Sequence, residues 1–560
     1  MATTNNNSEK ALIFFRTASL FGLCIALVPW LSAYWSQVIN TDVAYLTLSA
    51  GKMLDGMRMS EAYYDTNLPL SIIVQLPAAA LAKFTSIPLY YATNIYALGL
   101  LALSLTAVTA LLSYFKELTP EQRITILGAY LLTNTMLPGY DFGQKDQFLG
   151  MALFPLVLLQ ILITRKTSIP NYLKYSVLAA GSFFILLKPH YGIVPAFIFI
   201  HRAITQRRIN VVFDTDFLWL AGMAIGYVAT LFIFFDDFLT IILPDILKYY
   251  ASDISPKVIA TGIILILKAI TPFFIAQLFL KKASGLISAL SLIAALCFIP
   301  FIMQGKGWAY HALPAHMFFY GAIILLLSYS ITAGLNTLRK TDTPNLLTRL
   351  TSFALPMALL FALIAKNYAA PPTRNFTHED YKNTKFAKRI EACKTEYGHT
   401  CPFLMFNDSI NISQELQVYT GEQNATRFPC PWFVPVLLNA QKALNEERPP
   451  ALTQEELDAA LDKYMKLLAQ DFERFDPKIA FVAHIPNPAN REKLFNTRDY
   501  MLTHAPELFT PIWDRYELEK SEMVDRLDYM YAKMPGENLI RYDIYRKKKN
   551  IEKKEEQNRP

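Results

Sequence analysis

The sequence reads as a mostly α-helical, polytopic membrane protein of about eleven transmembrane helices with a soluble α/β domain at its C-terminal end. Three observations predict this class. Hydrophobic residues fill 53% of the 560 positions, too large a share for a soluble chain of this length. The apolar residues concentrate between Ala11 and Lys366 in long runs, and beyond Asn367 no run approaches the roughly 20 residues that a bilayer demands. Lys and Arg gather in short loops at alternate ends of those runs. The same clustering argues against a nucleic-acid partner, because a net charge of +7 spread over short loops forms no stripe able to follow phosphates.

The runs are Ala11–Ala33, Leu89–Phe115, Ile124–Tyr140, Phe148–Ile163, Tyr175–Leu187, Tyr191–Ile200, Phe217–Phe235, Val258–Leu280, Leu286–Met303, Met317–Leu335 and Leu350–Ala365. The first follows a polar N-terminus with no cleavage site after it, and reads as a retained helix. With that N-terminus inside, the inner loops are Lys116–Arg123, Arg165–Lys174, His201–Arg208, Lys281–Lys282 and Arg339–Arg349. Each is short and basic, so the positive-inside rule is met five times and the C-terminal domain is placed outside. Two stretches resist a simple crossing. Pro69–Phe84 is broken by Pro77 and reads as re-entrant or interfacial. Lys188-Pro189-His190 interrupts Tyr175–Ile200 and suits two half-length helices meeting near the outer face, because lipid does not solvate these groups.

Domain boundaries fall near the Pro371-Pro372 pair: a membrane module over 1–366, an extracytoplasmic α/β domain over 367–548, and a charged, disordered tail over 549–560. Within the domain, Phe403–Phe406, Ile479–Val482 and Leu539–Tyr545 read as strands, and Thr453–Phe475 as an amphipathic helix opened by a Thr453/Glu456 capping box. The aromatic group Arg427–Pro435 reads as a buried, proline-rich turn or as a sugar contact. Cys24 and Cys297 lie inside apolar helices as small hydrophobes, whereas Cys393, Cys401 and Cys430 fall in the C-terminal domain. Cys393 and Cys401 are the closest pair should a disulfide form there.

The outer loops carry the chemistry-bearing residues, and that asymmetry is the main functional signal. Asp42 follows the first helix, where partial shielding raises a carboxylate toward a useful base, or where Thr41-Asp42 simply caps a helix. Asp65 and Asn67 stand in YYDTNLPLS, turn-forming types before an apolar segment. In FGQKDQ, Lys145 and Asp146 open a helix between Gln144 and Gln147, two amides suited to sugar hydroxyls; capping alone would account for Asp146 but not for Lys145. Lys188 and His190 occupy the break in an apolar stretch, a position that is functional or that lets the lysine snorkel. In GKGWAYH, Lys306 sits between two glycines, leaving backbone and ammonium open to an anion. Trp308 and Tyr310 suit an interfacial belt, and His311 and His316 are five apart, off the spacing of a helical metal pair. One or two carboxylates with several cations at a membrane face suit group transfer from a lipid-linked phosphate donor. The leaving phosphate needs cations and the acceptor hydroxyl needs a base.

On these residues the chain resembles the GT-C class of polyprenyl-phosphate-dependent glycosyltransferases, which includes protein mannosyltransferases and the aminoarabinose transferase of lipid A, in a poorly characterised bacterial branch. Asp42 in NTDVAYLTLSAGKMLDG, with Tyr45 and Gly56 after it, resembles the class's acidic residue past helix one; Asp146 resembles its second acidic position. Lys188 resembles its lysine between half-helices, and YYDTNLPLS its Pro-containing segment. The chain departs in having Asp42-Val43 where the class has paired acids, and Leu68-Pro69 for Pro-Pro. The resemblance implies an inverting displacement at a sugar anomeric carbon, at the outer face of a bacterial inner membrane. Asp42 would be the base, and Lys188, Lys306 and Lys145 would hold the donor phosphate. Asp146 would have a catalytic role, orienting sugar or acceptor with Gln144; Asp65, Asn67, His190, Trp308 and His311 would contact sugar or acceptor. It implies partnership with a polyprenyl-phosphate-linked sugar and a glycan, lipid or protein acceptor, with no cofactor and no metal.

Two other readings stay open. A transporter or flippase of a lipid-linked saccharide also places polar residues between helices, usually near the midplane and with internal repeats, and this sequence shows no repeat. A non-catalytic envelope assembly protein would use the C-terminal domain to bind partners.

Overall fold

The computed structural model describes residues 27–28, 30–250, 255–280, 284–338, 345–368, 377–398, 400–407, 412–447, 452–487, 489–525 and 539–549. The chain forms two compact units. One comprises Met1–Trp35, Asn94–Thr230 and Ser252–Pro371; the other comprises Ser36–Thr93, Leu231–Ala251 and Pro372–Pro560. The second unit is therefore more than the residues after 367: it takes in the first outer loop and a segment following the helix Thr215–Phe234. The physical reason is that run length locates lipid, whereas compactness depends on tertiary contacts that run length does not carry.

Among the described residues seven helices are long and apolar enough to cross a membrane: Leu89–Leu112, Lys145–Thr164, Thr215–Phe234, Pro256–Phe279, Gly285–Met303, Ala309–Leu338 and Leu347–Ile364. Three more expected crossings are helices of 16, 15 and 14 residues, over Pro120–Thr135, Asn171–Ile185 and Ile193–Gln206. These fall short of the roughly 20 residues of a full span, so the expected count of eleven is not reached by length. The eleventh, Ala11–Ala33, lies mostly outside the described residues, as do Cys24, Lys281–Lys282 and the 550–560 part of the tail. The break at Lys188 is present as expected: Asn171–Ile185 ends, a short 3-10 turn covers Pro189–Gly192, and Ile193–Gln206 begins.

In the first unit, small residues let helices approach closely, which matters in lipid because no hydrophobic force drives apolar helices together. A Cβ on Gly150 would stand 2.6 Å from Met317 Sδ, and one on Gly181 would stand 2.8 Å from Leu156 Cβ; both are too close to fit. Gly262 leaves room for Ile302 in the same way. Aromatic rings fill the interior, Phe154 packing on Tyr130 and Phe318. A buried Arg202 donates to Asp216 at 2.8 Å and 3.1 Å and to Gln160 at 2.6 Å, so its charge is paired where burial would otherwise penalise it.

The second unit is built on a five-stranded sheet: β1 (Phe403–Phe406), β2 (Ile479–Asn487), β3 (Asn490–Phe495), β4 (Tyr516–Asp525) and β5 (Leu539–Lys547). The strand order is β1-β2-β5-β4, with β3 paired to β2. The β1–β2 pair is parallel, with Phe403 opposite Ile479, and β2–β5 and β5–β4 are antiparallel. All of Phe403–Phe406 is buried, consistent with a short, fully covered strand. Helix Gln454–Phe475 opens with the expected capping box, Thr453 Oγ1 accepting from Glu456 N and the Glu456 side chain from Thr453 N. The Arg427–Pro435 stretch forms a buried turn: Phe433 stacks on Tyr464 at 3.9 Å, and Arg427 pairs with Asp471 at 2.7 Å. Cys393 and Cys401 form a disulfide.

Pro69–Phe84 makes two short helices, Leu70–Ile73 and Leu76–Phe84, neither able to span. The segment 231–251 contains two wide turns, Phe238–Ile242 and Ile246–Tyr250, with Asp245 between them. Asp245 accepts from Tyr64 Oη at 2.5 Å, Tyr464 Oη at 2.8 Å and Lys463 Nζ at 2.7 Å, tying that segment, the first outer loop and the sheet region into one core.

Candidate functional site

The first unit holds eight of the expected residues: Gln144, Lys145, Asp146, Lys188, His190, Lys306, Trp308 and His311. Helix Lys145–Thr164 begins with Gln144 in extended conformation, and no side-chain cap satisfies its first turn. Asp146 does not cap the helix. It is fully buried and accepts from Lys188 Nζ at 2.7 Å. Lys188 also donates to Gln304 Oε1, a side chain at the end of the helix preceding the glycine-flanked lysine. The snorkelling reading of Lys188 therefore fails: its side chain is 9% exposed and turned to a buried carboxylate. A lysine buried near the middle of an apolar stretch is expensive unless paired, and this one is paired.

Around this pair stand more cations. His311 lies within electrostatic reach of Lys188, Lys145, His190 and Lys306, so these five groups form one cluster. Tyr191 Oη donates to the His311 carbonyl at 3.1 Å, joining the Pro189–Gly192 turn to the Ala309–Ala312 turn. Lys306 is presented by Gly305 and Gly307, whose φ values of 67° and 70° are in the left-handed region and need glycine. Trp308 is half-exposed and packs on Tyr310 and His311. Among the described residues Asp146 Oδ2, His190 Nε2 and His311 Nδ1 have no hydrogen-bond partner, leaving capacity for a polar ligand.

One expected assignment changes here. Gln147 is not available to a sugar, because Oε1 accepts from Gly143 N at 2.7 Å and Nε2 donates to Asn134 O at 2.6 Å. His316 packs on Phe298 and Tyr320 as a core side chain. Among the described residues no three His, Cys, Asp or Glu side chains converge as a metal site.

The second unit holds Asp42, Asp65 and Asn67. The capping account of Asp42 is corrected: Asn40 is the cap of helix Thr41–Leu54, its Oδ1 accepting from Asp42 N at 2.9 Å and from Val43 N at 3.2 Å. Asp42 is thus the second residue of the helix and half-buried, its carboxylate unneeded for capping. Asp65 is buried and accepts from Asn67 Nδ2 at 3.0 Å, the local turn bond that these residue types favour. Tyr250 hydrogen-bonds Thr66, and its hydroxyl is pushed up to about 12, chiefly by burial and then by Asp65, Cys430 and Asp42 nearby. Asp42, Asp65, Tyr250 and Cys430 therefore share one neighbourhood. Two grooves on this unit, one along Lys466–Arg474 and one between helices Thr41–Leu54 and Leu76–Phe84, are lined by none of the expected residues.

Sequence reasoning missed two groups. Gln304 was legible only as part of the outer loop; nothing in its spacing marks it as the second acceptor for Lys188. Glu415, on helix Ser413–Thr420, accepts from Thr41 Oγ1 and stands close to Asp42. It is 374 positions from Thr41, and no local signal could have found it.

No family model matches the chain, and no curated protein matches it. Among solved structures it is similar to the crystal structure of ArnT from Cupriavidus metallidurans in the apo state, at 14% identity and a TM-score of 0.47, over 95% of this chain and 98% of that one. It is similar in the same degree to ArnT from Cupriavidus metallidurans bound to undecaprenyl phosphate, at 12% identity and a TM-score of 0.47, over 94% of this chain and 98% of that one.

Proposed function

We propose that the protein is an integral-membrane glycosyltransferase that moves a sugar from a polyprenyl-phosphate donor to an envelope glycan, lipid or protein acceptor. The observation that carries this reading is the buried Lys188–Asp146 pair with Lys145, Lys306, His190 and His311 around it. Lysine ammonium groups are ordinary phosphate ligands, and a polyprenyl chain accounts for such a cluster lying among apolar helices. Asp146 holds Lys188 in place so that its ammonium meets phosphate with little reorganisation. His190, Trp308 and His311 contact the sugar.

The step is an inverting displacement. The acceptor hydroxyl oxygen forms a bond to the anomeric carbon, the bond from that carbon to the phosphate oxygen breaks, and the phosphate departs with the electron pair. Asp42, in the first turn of helix Thr41–Leu54, takes the hydroxyl proton. Asp65 and Asn67 orient the acceptor, and Gln144 the sugar. The donor carries one phosphate, so the lysines suffice and neither metal nor cofactor is required. The Cys393–Cys401 disulfide supports an oxidising, extracytoplasmic side for the C-terminal region, the periplasm of a bacterial inner-membrane protein.

The test is transfer by the purified protein in detergent, using a panel of polyprenyl-phosphate sugars. Asp42→Asn should lose transfer while still binding donor, and Lys188→Met should lose donor binding. Undiminished transfer by Asp42→Asn removes the base assignment. Donor binding with neither cleavage nor transfer in the wild type favours the transporter reading instead.

A further inference from the structure

We propose that Glu415, supplied from beyond the last membrane helix, is a positioning residue for Asp42. The inference rests on the transferase reading above, and every residue in it belongs to the second unit. Glu415 is 3% exposed and lies on helix Ser413–Thr420, which packs directly against helix Thr41–Leu54. Its Oε1 accepts from the hydroxyl of Thr41, the residue preceding Asp42 in the same first turn. A second tie runs alongside: Tyr419, one turn further along, accepts at its hydroxyl from Ile39 N at 3.0 Å. Together they fix both sides of the Asn40 cap, and with it the direction in which Asp42 leaves the helix.

Two further observations mark this as more than ordinary packing. Ile412, immediately before the Glu415 helix, has φ 75°, a conformation costly for a β-branched residue, and its carbonyl is held by Tyr381 Oη at 3.0 Å. Strain of this kind persists where surrounding structure holds a side chain in one place. Glu415 Oε2, moreover, is buried and has no hydrogen-bond partner among the described residues.

The experiment compares Glu415→Ala, Glu415→Gln and Thr41→Val with the wild type, in the purified full-length protein with a polyprenyl-phosphate sugar it accepts. Misplacing a catalytic group by a fraction of an ångström to an ångström costs on the order of ten- to a hundredfold in rate. Glu415→Ala and Thr41→Val should therefore lower kcat at least about tenfold, with the donor KM changed less than about twofold. Glu415→Gln, which keeps an acceptor for Thr41, should recover most of kcat. Unchanged kcat in Glu415→Ala overturns the proposal, and so does a rise in KM without a fall in kcat. Should Glu415→Ala fail to fold, Thr41→Val decides alone. A wild type that transfers no sugar overturns the transferase reading itself, whereas transfer by wild type and Glu415→Ala alike overturns only the role of Glu415.

Discussion

Replacing Lys188 by methionine tests whether the cluster in the first unit is built around a buried ion pair. The substitution keeps most of the stem volume and deletes the ammonium, leaving Asp146 fully buried with Oδ1 stripped of its donor at 2.7 Å and Oδ2 already without one. Breaking a buried pair from one side costs about 3–5 kcal/mol, because the remaining charge is uncompensated. Removing both charges, as in Lys188→Met with Asp146→Leu, costs far less and can be neutral. For a unit of this size about 1 kcal/mol corresponds to roughly 2–4 °C in Tm. The single variant should therefore melt about 6–20 °C lower and the double variant within about 4 °C of the wild type. Thermal unfolding in detergent, followed by intrinsic fluorescence, reads both. A double variant that melts as low as the single one, or lower, would refute the reasoning, since removing the carboxylate would then relieve nothing.

Two other outcomes follow from the geometry. Burial pushes Glu415 up from its ordinary 4.5 to about 7, so the folded chain holds that proton more tightly than the unfolded one. The resulting stability is fully present below about pH 4.5, declines as pH rises, and is gone above about 7; a displacement of that size corresponds to about 3 kcal/mol. Hydrogen exchange in the sheet should show wild type losing stability relative to Glu415→Gln between pH 5 and 8, and parallel profiles would contradict it. In the first unit, Gly262→Val should destabilise the pairing of helices Pro256–Phe279 and Gly285–Met303, because its Cβ overlaps Ile302, by about 1–3 kcal/mol. Adding Ile302→Ala should restore part of the loss; no recovery in Tm would place the strain elsewhere.

Much of the fold was legible because it is written in local patterns. Apolar run lengths located the seven long helices, and the Lys188-Pro189 pair announced the break between Asn171–Ile185 and Ile193–Gln206. Thr453 and Glu456 three residues apart were enough to start helix Gln454–Phe475, and three of the five strands stood out as short apolar or alternating runs. Strands β3 and β4 did not, because NREKLF and YELEKSEMVD carry charges that mask the alternation. The count of eleven is not confirmed by length for a related reason: Ile124–Tyr140 is apolar enough on average, but its helix ends at Thr135 before the Pro138-Gly139 turn.

The site was legible in part. An ionisable residue in an apolar stretch is rare enough to be noticed singly, so Lys188, Asp146, Lys306 and His311 were each visible, and the structure brings them together. Partnership was not visible. Whether Asp42 caps its helix depends on Asn40 two positions earlier competing for the same amides, which composition does not decide. Gln147 looked like a sugar ligand and is held by backbone groups at Gly143 and Asn134.

By itself, then, the sequence determined where lipid and water divide along the chain and which residue types stand at the outer edge, because both follow from transfer free energies summed over neighbouring positions. Only the tertiary structure decided which of those residues meet. The first outer loop and the 231–251 segment join the C-terminal sheet in one core, and Glu415 reaches Thr41 across 374 positions, because side-chain packing and buried hydrogen bonds are settled by proximity in space and leave no periodic trace in the chain.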